Sequence, residues 1–397
     1  MAHIYEELGV RPLINAAGTQ TRYGGAPLPR AVVEAMAEAA TACVRMEDMQ
    51  EAAGRVIAEV TGAEAGYVTA GAAAGLTLAA AACLAGMDVA RMDRLPDTEG
   101  MPNEIVVQRA QRNAYDHAVR AAGARFVEVG YLGYPGAGST HPWQIEAAIT
   151  ERTAALYWAV MEENGTVPLT EVCRIAHAHG LPVIVDAAAA LPPAENLRRF
   201  IAAGADLVSF SGGKAIMGPQ ATGILCGRRD LIASVLLQNQ DMDVYPEAWT
   251  YRARYLESGL LAGPPHQGVG RAFKVGKEEI AGLVTALRLY VARDHAADRA
   301  RWDGLIRAVL EGVADLPHVR GVYLCPAGHP VPLARLELDE AALGRTAFAV
   351  IRRLLDGTPM IAVNEGRARE GALVVNPMAL SDADLPGLIA GLHAALS

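Results

Sequence analysis

Lys214 and Asp186 are the two residues whose surroundings suggest chemistry. The lysine ends the run Asp206-Leu207-Val208-Ser209-Phe210-Ser211-Gly212-Gly213-Lys214, and the acid abruptly ends the apolar run Pro182-Val183-Ile184-Val185. An amine just past one buried strand and a carboxylate closing another suit pyridoxal phosphate (PLP). The ε-amine forms a Schiff base with the aldehyde, and the acid keeps the pyridine nitrogen protonated so that the ring draws electrons. Simpler readings exist for each residue. Most lysines are solvated, and an Asp after a strand often caps a helix. The glycines at 212 and 213, expected to leave room for a bulky partner, and the alanines at 187–190 favour the cofactor. So does the cost of burying a carboxylate without a cation. Ser209 and Ser211 add hydroxyls suited to a phosphate, although Ser-x-x-Lys alone is a weak motif.

A third segment, Thr69-Ala70-Gly71-Ala72-Ala73-Ala74-Gly75, reads as a strand–turn–helix junction of tiny residues. Backbone N–H groups at such a helix start can hold a phosphate, so Gly71, Ala72 and Ala73 are cofactor candidates. Taken alone, such a segment more often marks plain tight helix packing.

The elements that must position these groups alternate from about 65 to 260. Short apolar runs at 67–69, 104–107, 125–129, 155–160, 183–185 and 207–210 are separated by helix-length segments, several closed by glycine. That rhythm predicts an α/β fold, a mostly parallel sheet with helices on both faces. Active sites in such sheets collect at the carboxyl ends of strands. Residues 1–28 read as an irregular arm, 29–270 as the large cofactor-binding domain, and 271–397 as a linking helix with a small α+β domain. Pro29 opens two helices that Thr61-Gly62 closes, and the stretch 271–313 is a long helix, broken or bent.

With 397 residues, 52% hydrophobic and 20% charged, the chain can bury a large core. Its net charge of −9 gives no electrostatic case for nucleic acid. The five cysteines, at 43, 83, 173, 226 and 325, form no metal or disulfide pattern, which predicts a reducing cytoplasm and no structural metal. The N-terminal residues lack the apolar core of a signal peptide. The alanine-rich stretch 72–87 is too short for a membrane span and reads as a buried helix.

The lysine segment, followed by Gly218-Pro219-Gln220-Ala221-Thr222-Gly223-Ile224-Leu225, resembles the selenocysteine-synthase-like (SelA-like) branch of fold-type-I PLP enzymes. That branch includes L-seryl-tRNA(Sec) selenium transferase and the D-glucosaminate-6-phosphate ammonia-lyases. Matching blocks recur at Ile14-Asn15-Ala16-Ala17-Gly18-Thr19 with Tyr23-Gly24-Gly25, at Thr61-Gly62-Ala63-Glu64-Ala65, and from Gly270 to Glu278.

The resemblance implies a fold-type-I transferase-like sheet of seven strands in a homodimer or larger homo-oligomer. Lys214 would carry the cofactor, Asp186 would meet the pyridine nitrogen, and Gly71, Ala72 and Ser211 would hold the phosphate. Gly270 and Arg271, in a loop expected to reach a neighbouring subunit's cofactor, would contribute too; a bound anion would explain a basic residue at a helix start. After the strand at 104–107 this fold supplies a group stacked on the ring, for which Arg112 and Asn113 are better candidates than His117. Asn15, Thr19 and Tyr23 become substrate candidates. Met378 stands where selenium transferases place an arginine, so Arg367 or Arg369 is a candidate carboxylate clamp, each equally readable as a solvated turn residue.

The acidic chain points to a small amino-acid substrate, not tRNA, and to no membrane partner. The expected reaction is α,β-elimination giving a 2-oxo acid and ammonia. Racemisation or epimerisation and aldol cleavage use the same parts, and Tyr23, His141 or His266 would have to serve as a racemase's second base. Selenium-transferase-like β-replacement and a non-catalytic homologue complete the alternatives.

Overall fold

The computed structural model describes residues 4–132, 139–161, 165–325 and 330–397. In chain order its strands are β1 (Leu13–Ala16), β2 (Ala65–Thr69), β3 (Glu104–Gln108), β4 (Arg125–Val129), β5 (Thr153–Ala159), β6 (Val183–Asp186), β7 (Leu207–Ser211), β8 (Gly223–Gly227), β9 (Val319–Leu324), β10 (Leu333–Leu338), β11 (Met360–Val363) and β12 (Ala372–Val375). They divide between two compact units: residues 29–291, and residues 1–28 together with 292–397.

In the first unit seven strands form one sheet, ordered β2-β8-β7-β6-β5-β3-β4. Only β8 runs against its neighbours, pairing antiparallel with both β2 and β7; the other pairings are parallel. Every residue of β5 is buried, as expected for an apolar strand covered on both faces. From β3 the chain steps outward to β4, then returns to place β5 on the other side of β3. In sheets of this kind such a reversal marks the usual ligand position, at the carboxyl ends of the strands. The helix Ala72–Ala85 has twelve of its fourteen residues buried and no solvent face, so its composition of alanine and leucine suits close packing on all sides.

The second unit holds a three-stranded antiparallel sheet, β12-β10-β9, and a parallel pair, β1-β11. Its core packs Leu305, Ile306 and Val309 from one helix with Val350, Leu354, Leu388 and Leu392 from two others and with Leu336 and Leu373 of the sheet. The long helical stretch does break: Lys277–Ala292 ends before Asp294, whose carboxylate accepts from the amides of Ala296 and Ala297, each at 3.0 Å, and starts His295–Gly312.

Three expectations need correction. The arm is not wholly irregular, because residues 13–16 pair in register with residues 360–363. Four residues with no periodicity carry no strand signal when their partner lies hundreds of positions away. The arm belongs with the C-terminal residues, and the units divide after Val291, beyond the helix that follows position 270. Finally β8, flanked by glycines, escaped a reading based on apolar runs.

Candidate functional site

Asp186 and Lys214 meet because β6 and β7 are adjacent and parallel, with Asp186 opposite Ser209. The chain leaves β7 at Ser211 and turns through Gly212 and Gly213 to Lys214. A Cβ at Gly212 would lie 2.2 Å from Thr222 Oγ1, and one at Gly213 would lie 2.6 Å from the Gln220 backbone. The glycines therefore admit the chain's own return, residues 218–222, and not a ligand as expected. Hydrogen bonds from the Gly212 amide to the Thr222 carbonyl (2.8 Å) and from the Gly218 amide to the Gly212 carbonyl (2.9 Å) lock that return. Met217, with φ at +59°, is the one positive-φ residue other than glycine among the described residues. Such local strain is sustained only where the surroundings over-determine it.

Lys214 is half-buried, and burial lowers its pKa from the usual lysine value, opposed by the charge of Asp186. Burial raises the Asp186 pKa, against the Ala188 amide, the Tyr157 hydroxyl and the Lys214 charge, while Asp116 pushes it further up. Each group thus lies in the other's field. The carboxylate is held at both oxygens: the Ala188 amide donates to Oδ1 at 3.0 Å, and the Tyr157 hydroxyl donates to Oδ2 at 3.2 Å. No helix starts after Asp186, since the next begins at Asn196, so the helix-cap reading falls away.

The third segment joins these two through β8. Gly223 lies opposite Ser211 on one side and Thr69 on the other. A Cβ there would sit 2.5 Å from the Gly71 carbonyl carbon and 2.7 Å from the Ala72 nitrogen. Gly71 takes φ +89°, and the space where its own Cβ would point is open. The helix starts at Ala72, leaving the amides of its first turn without helical acceptors. Ser209 is a correction: fully buried, it donates to the Ala72 carbonyl at 3.0 Å and braces the helix start. Ser211, Ala73 and Gly71 remain accessible.

These features fit PLP: an amine shifted toward neutrality, a doubly hydrogen-bonded acid within its field, and free helix amides fronted by open space.

Arg112 does not stand free to stack on a ring. It pairs with Asp116 and Glu128, and its guanidinium lies 4.9 Å from the Phe126 ring centroid. Asn113 does not stand free either: its side chain donates to the Gln111 carbonyl at 3.3 Å and accepts from the Tyr115 amide at 2.8 Å. His117 is exposed at the second position of the helix Asp116–Ala121, not a full turn inside a longer one. Gly270 is buried, with a Cβ site 2.6 Å from Leu78 and 2.7 Å from the Gln238 carbonyl, so it serves packing. Arg271 lies in a 3-10 turn, not at a helix start, and Asp241 at 2.6 Å is the anion beside it.

The substrate candidates lie in the other unit. Asn15 is buried, donates to the carbonyls of Gly18 (3.0 Å) and Gly25 (2.8 Å), and accepts from the Ala17 amide (3.1 Å). Its amide organises the loop and leaves no group for substrate. Thr19 and Tyr23 are half-buried, with Arg22 over the Tyr23 ring at 5.3 Å. Arg367 is exposed and bonds Glu370 at 2.9 Å, and Arg369 is exposed in the same turn, as solvated turn residues are. The racemase candidates gain nothing: His141 is exposed at the start of the helix Pro142–Ala148, and exposed His266 bonds Asp93 at 2.8 Å.

Sequence reasoning missed Tyr157, Asp116 and Gly223. The available signal was a hydroxyl inside an unbroken apolar strand, which needs a buried partner.

Residues 29–321 match the family model of aminotransferase class-V. A 5'-C-glycyluridine monooxygenase-decarboxylase from a Streptomyces species is 35% identical over 95% of this chain and 88% of that protein. A D-glucosaminate-6-phosphate ammonia lyase from Salmonella typhimurium is 31% identical over 98% of this chain and 97% of that protein. A solved D-glucosaminate-6-phosphate ammonia-lyase structure matches with a TM-score of 0.81 and 30% identity, covering 100% of this chain and 98% of that one. An L-seryl-tRNA(Sec) selenium transferase from Geotalea uraniireducens is 26% identical over 97% of this chain and 83% of that protein. No helix among the described residues is long and apolar enough to cross a membrane.

Proposed function

The chain belongs to the class-V aminotransferase family and is a PLP-dependent enzyme, and on that premise we propose that it eliminates water from a small amino acid bearing a β-hydroxyl. The products would be ammonia and a 2-oxo acid. PLP, when bound, supplies the electron sink that makes the α-hydrogen acidic.

In this reading Lys214 would hold the cofactor and would be the base that takes the α-proton. Its lowered pKa supports both roles, because the neutral amine is the nucleophile and the base. Asp186 stays ionised opposite the pyridine nitrogen. The amides of residues 72 and 73 and the Ser211 hydroxyl would hold the phosphate, since the Gly71 amide is taken by the Thr69 carbonyl at 2.9 Å. The β-hydroxyl leaves as water, and hydrolysis of the resulting enamine releases ammonia. The site lies at the carboxyl ends of the parallel strands, where a small substrate can enter. The single observation that carries the elimination is the near full-length similarity to an ammonia-lyase in both sequence and fold. Within the wider family, a homodimer or larger assembly is the proposed state.

The monooxygenase-decarboxylase relative, at 35% identity, favours a second reading: oxygen-dependent decarboxylation at the same α-carbon. One assay separates the two. The purified protein is incubated in air with D- and L-β-hydroxy amino acids and with D-glucosaminate-6-phosphate. Ammonia with an equal amount of 2-oxo acid, unaffected by removing oxygen, is the expected result. Oxygen uptake with release of carbon dioxide would transfer the assignment to the second reading, and an inverted enantiomer alone would make the protein a racemase. Lys214→Ala should abolish turnover and the visible absorbance band of the bound cofactor.

A further inference from the structure

Behind Asp186 stands a polar group that the proposed reaction does not use. Tyr157 lies in β5, 1% exposed, and burial, with the charges of Asp186 and Asp116, raises its pKa. Its hydroxyl donates to Asp186 Oδ2 at 3.2 Å. The ring is fixed edge-on against Phe126, with centroids 5.7 Å apart. The second carboxylate, Asp116, is buried and pairs with Arg112, and its Oδ1 lacks a hydrogen-bond partner. Arg112, itself paired with Glu128, balances Asp116 and leaves Asp186 as the negative charge facing Lys214. With Oδ1 held by the Ala188 amide, the Tyr157 bond fixes the remaining rotation of the carboxyl group.

We propose that Tyr157 is a positioning residue that orients the Asp186 carboxylate and keeps it ionised toward the cofactor's pyridine nitrogen. Strand β5 thereby reaches a residue on its neighbour β6. The inference rests on the reading that Asp186 faces that nitrogen. A hydrogen bond to a buried charge is among the stronger ones, and its loss leaves the charge under-solvated.

The test compares cofactor affinity in apoprotein prepared from wild type, Tyr157→Phe and Tyr157→His. The ligands are PLP and the analogue whose ring nitrogen is replaced by C–H. Tyr157→Phe should bind PLP about tenfold more weakly, or worse. It should bind the analogue as wild type does, because that ring offers Asp186 no N–H. Tyr157→His, which keeps a ring N–H donor, should show the same pattern at about threefold, and it decides the matter if the phenylalanine variant fails to fold. Borohydride fixation at Lys214 should survive in both variants. Equal losses for the two ligands would reduce Tyr157 to a packing role and overturn the inference, as would unchanged PLP affinity. Wild type failing to bind PLP at Lys214 would instead remove the underlying reading, and this inference with it.

Discussion

An amine that must attack an aldehyde needs its lone pair free, and a lysine in water near neutrality rarely has one. Burial shifts Lys214 toward the neutral form, and the Asp186 charge limits that shift without reversing it. The sign is definite for the cofactor-free protein. The neutral amine becomes dominant below the ordinary lysine value of 10.5, so PLP capture should rise with pH and reach half its maximum below that value. Each unit of depression gives about tenfold more neutral amine at a fixed lower pH. Stopped-flow capture rates across pH 7–11 check this, and a midpoint at or above 10.5 would mean a solvated amine. The chain contains only three lysines, at 214, 274 and 277, so mass spectrometry of the borohydride-reduced protein identifies the labelled one directly. Lys214 and Asp186 were legible because their chemistry is rare and each ends an apolar run. Tyr157 was not, because a tyrosine within a strand looks like core until its hydroxyl has a partner.

Among the elements, β8 does the least conspicuous work. It runs between β2 and β7 and brings Ser211 beside the start of the helix Ala72–Ala85. Gly223 makes that approach possible, since any side chain there would enter the Gly71 and Ala72 backbone. Gly223→Ala should therefore destabilise the protein by about 1–3 kcal/mol and weaken PLP binding, because the backbone must separate where the phosphate is proposed to sit. Denaturant melts and cofactor titration of the variant measure the two effects. Wild-type behaviour in both would show that the strand and the helix start are not in close contact. The crossovers were readable from the alternation of apolar runs and glycine-closed helices. The antiparallel strand carries no such rhythm, and glycines at both ends make it look like a turn.

For the molecule as a whole, the N-terminal residues join the C-terminal ones in a unit separate from the seven-stranded sheet. Within that unit β1 pairs with β11, and Asn15 ties the loop that follows through three hydrogen bonds to backbone groups. Asn15→Ala leaves those buried groups unsatisfied and should lower stability by about 1–3 kcal/mol. With two units, unfolding need not be a single transition, so the measurement requires a fluorescence or exchange probe in each. A loss confined to the unit containing Asn15 is expected, and no loss in that unit would contradict the buried hydrogen bonds. The family motif at 14–19 invites a substrate role, yet the amide is already satisfied within its own loop.

Local patterns in the chain determined the α/β class, the buried central helix, the lysine and acid of the site, and hence PLP chemistry. These depend on residue type and near-neighbour spacing, which a linear string preserves. Tertiary structure alone decided that the arm forms a strand, that Gly212 and Gly213 admit the chain and not a ligand, and that Ser209, Asn15 and Arg271 have protein partners. It also decided that a tyrosine two strands from the lysine segment holds the acid in place. Such facts depend on which distant segments come within a few ångströms, and side-chain type says nothing about that until the sheet has assembled.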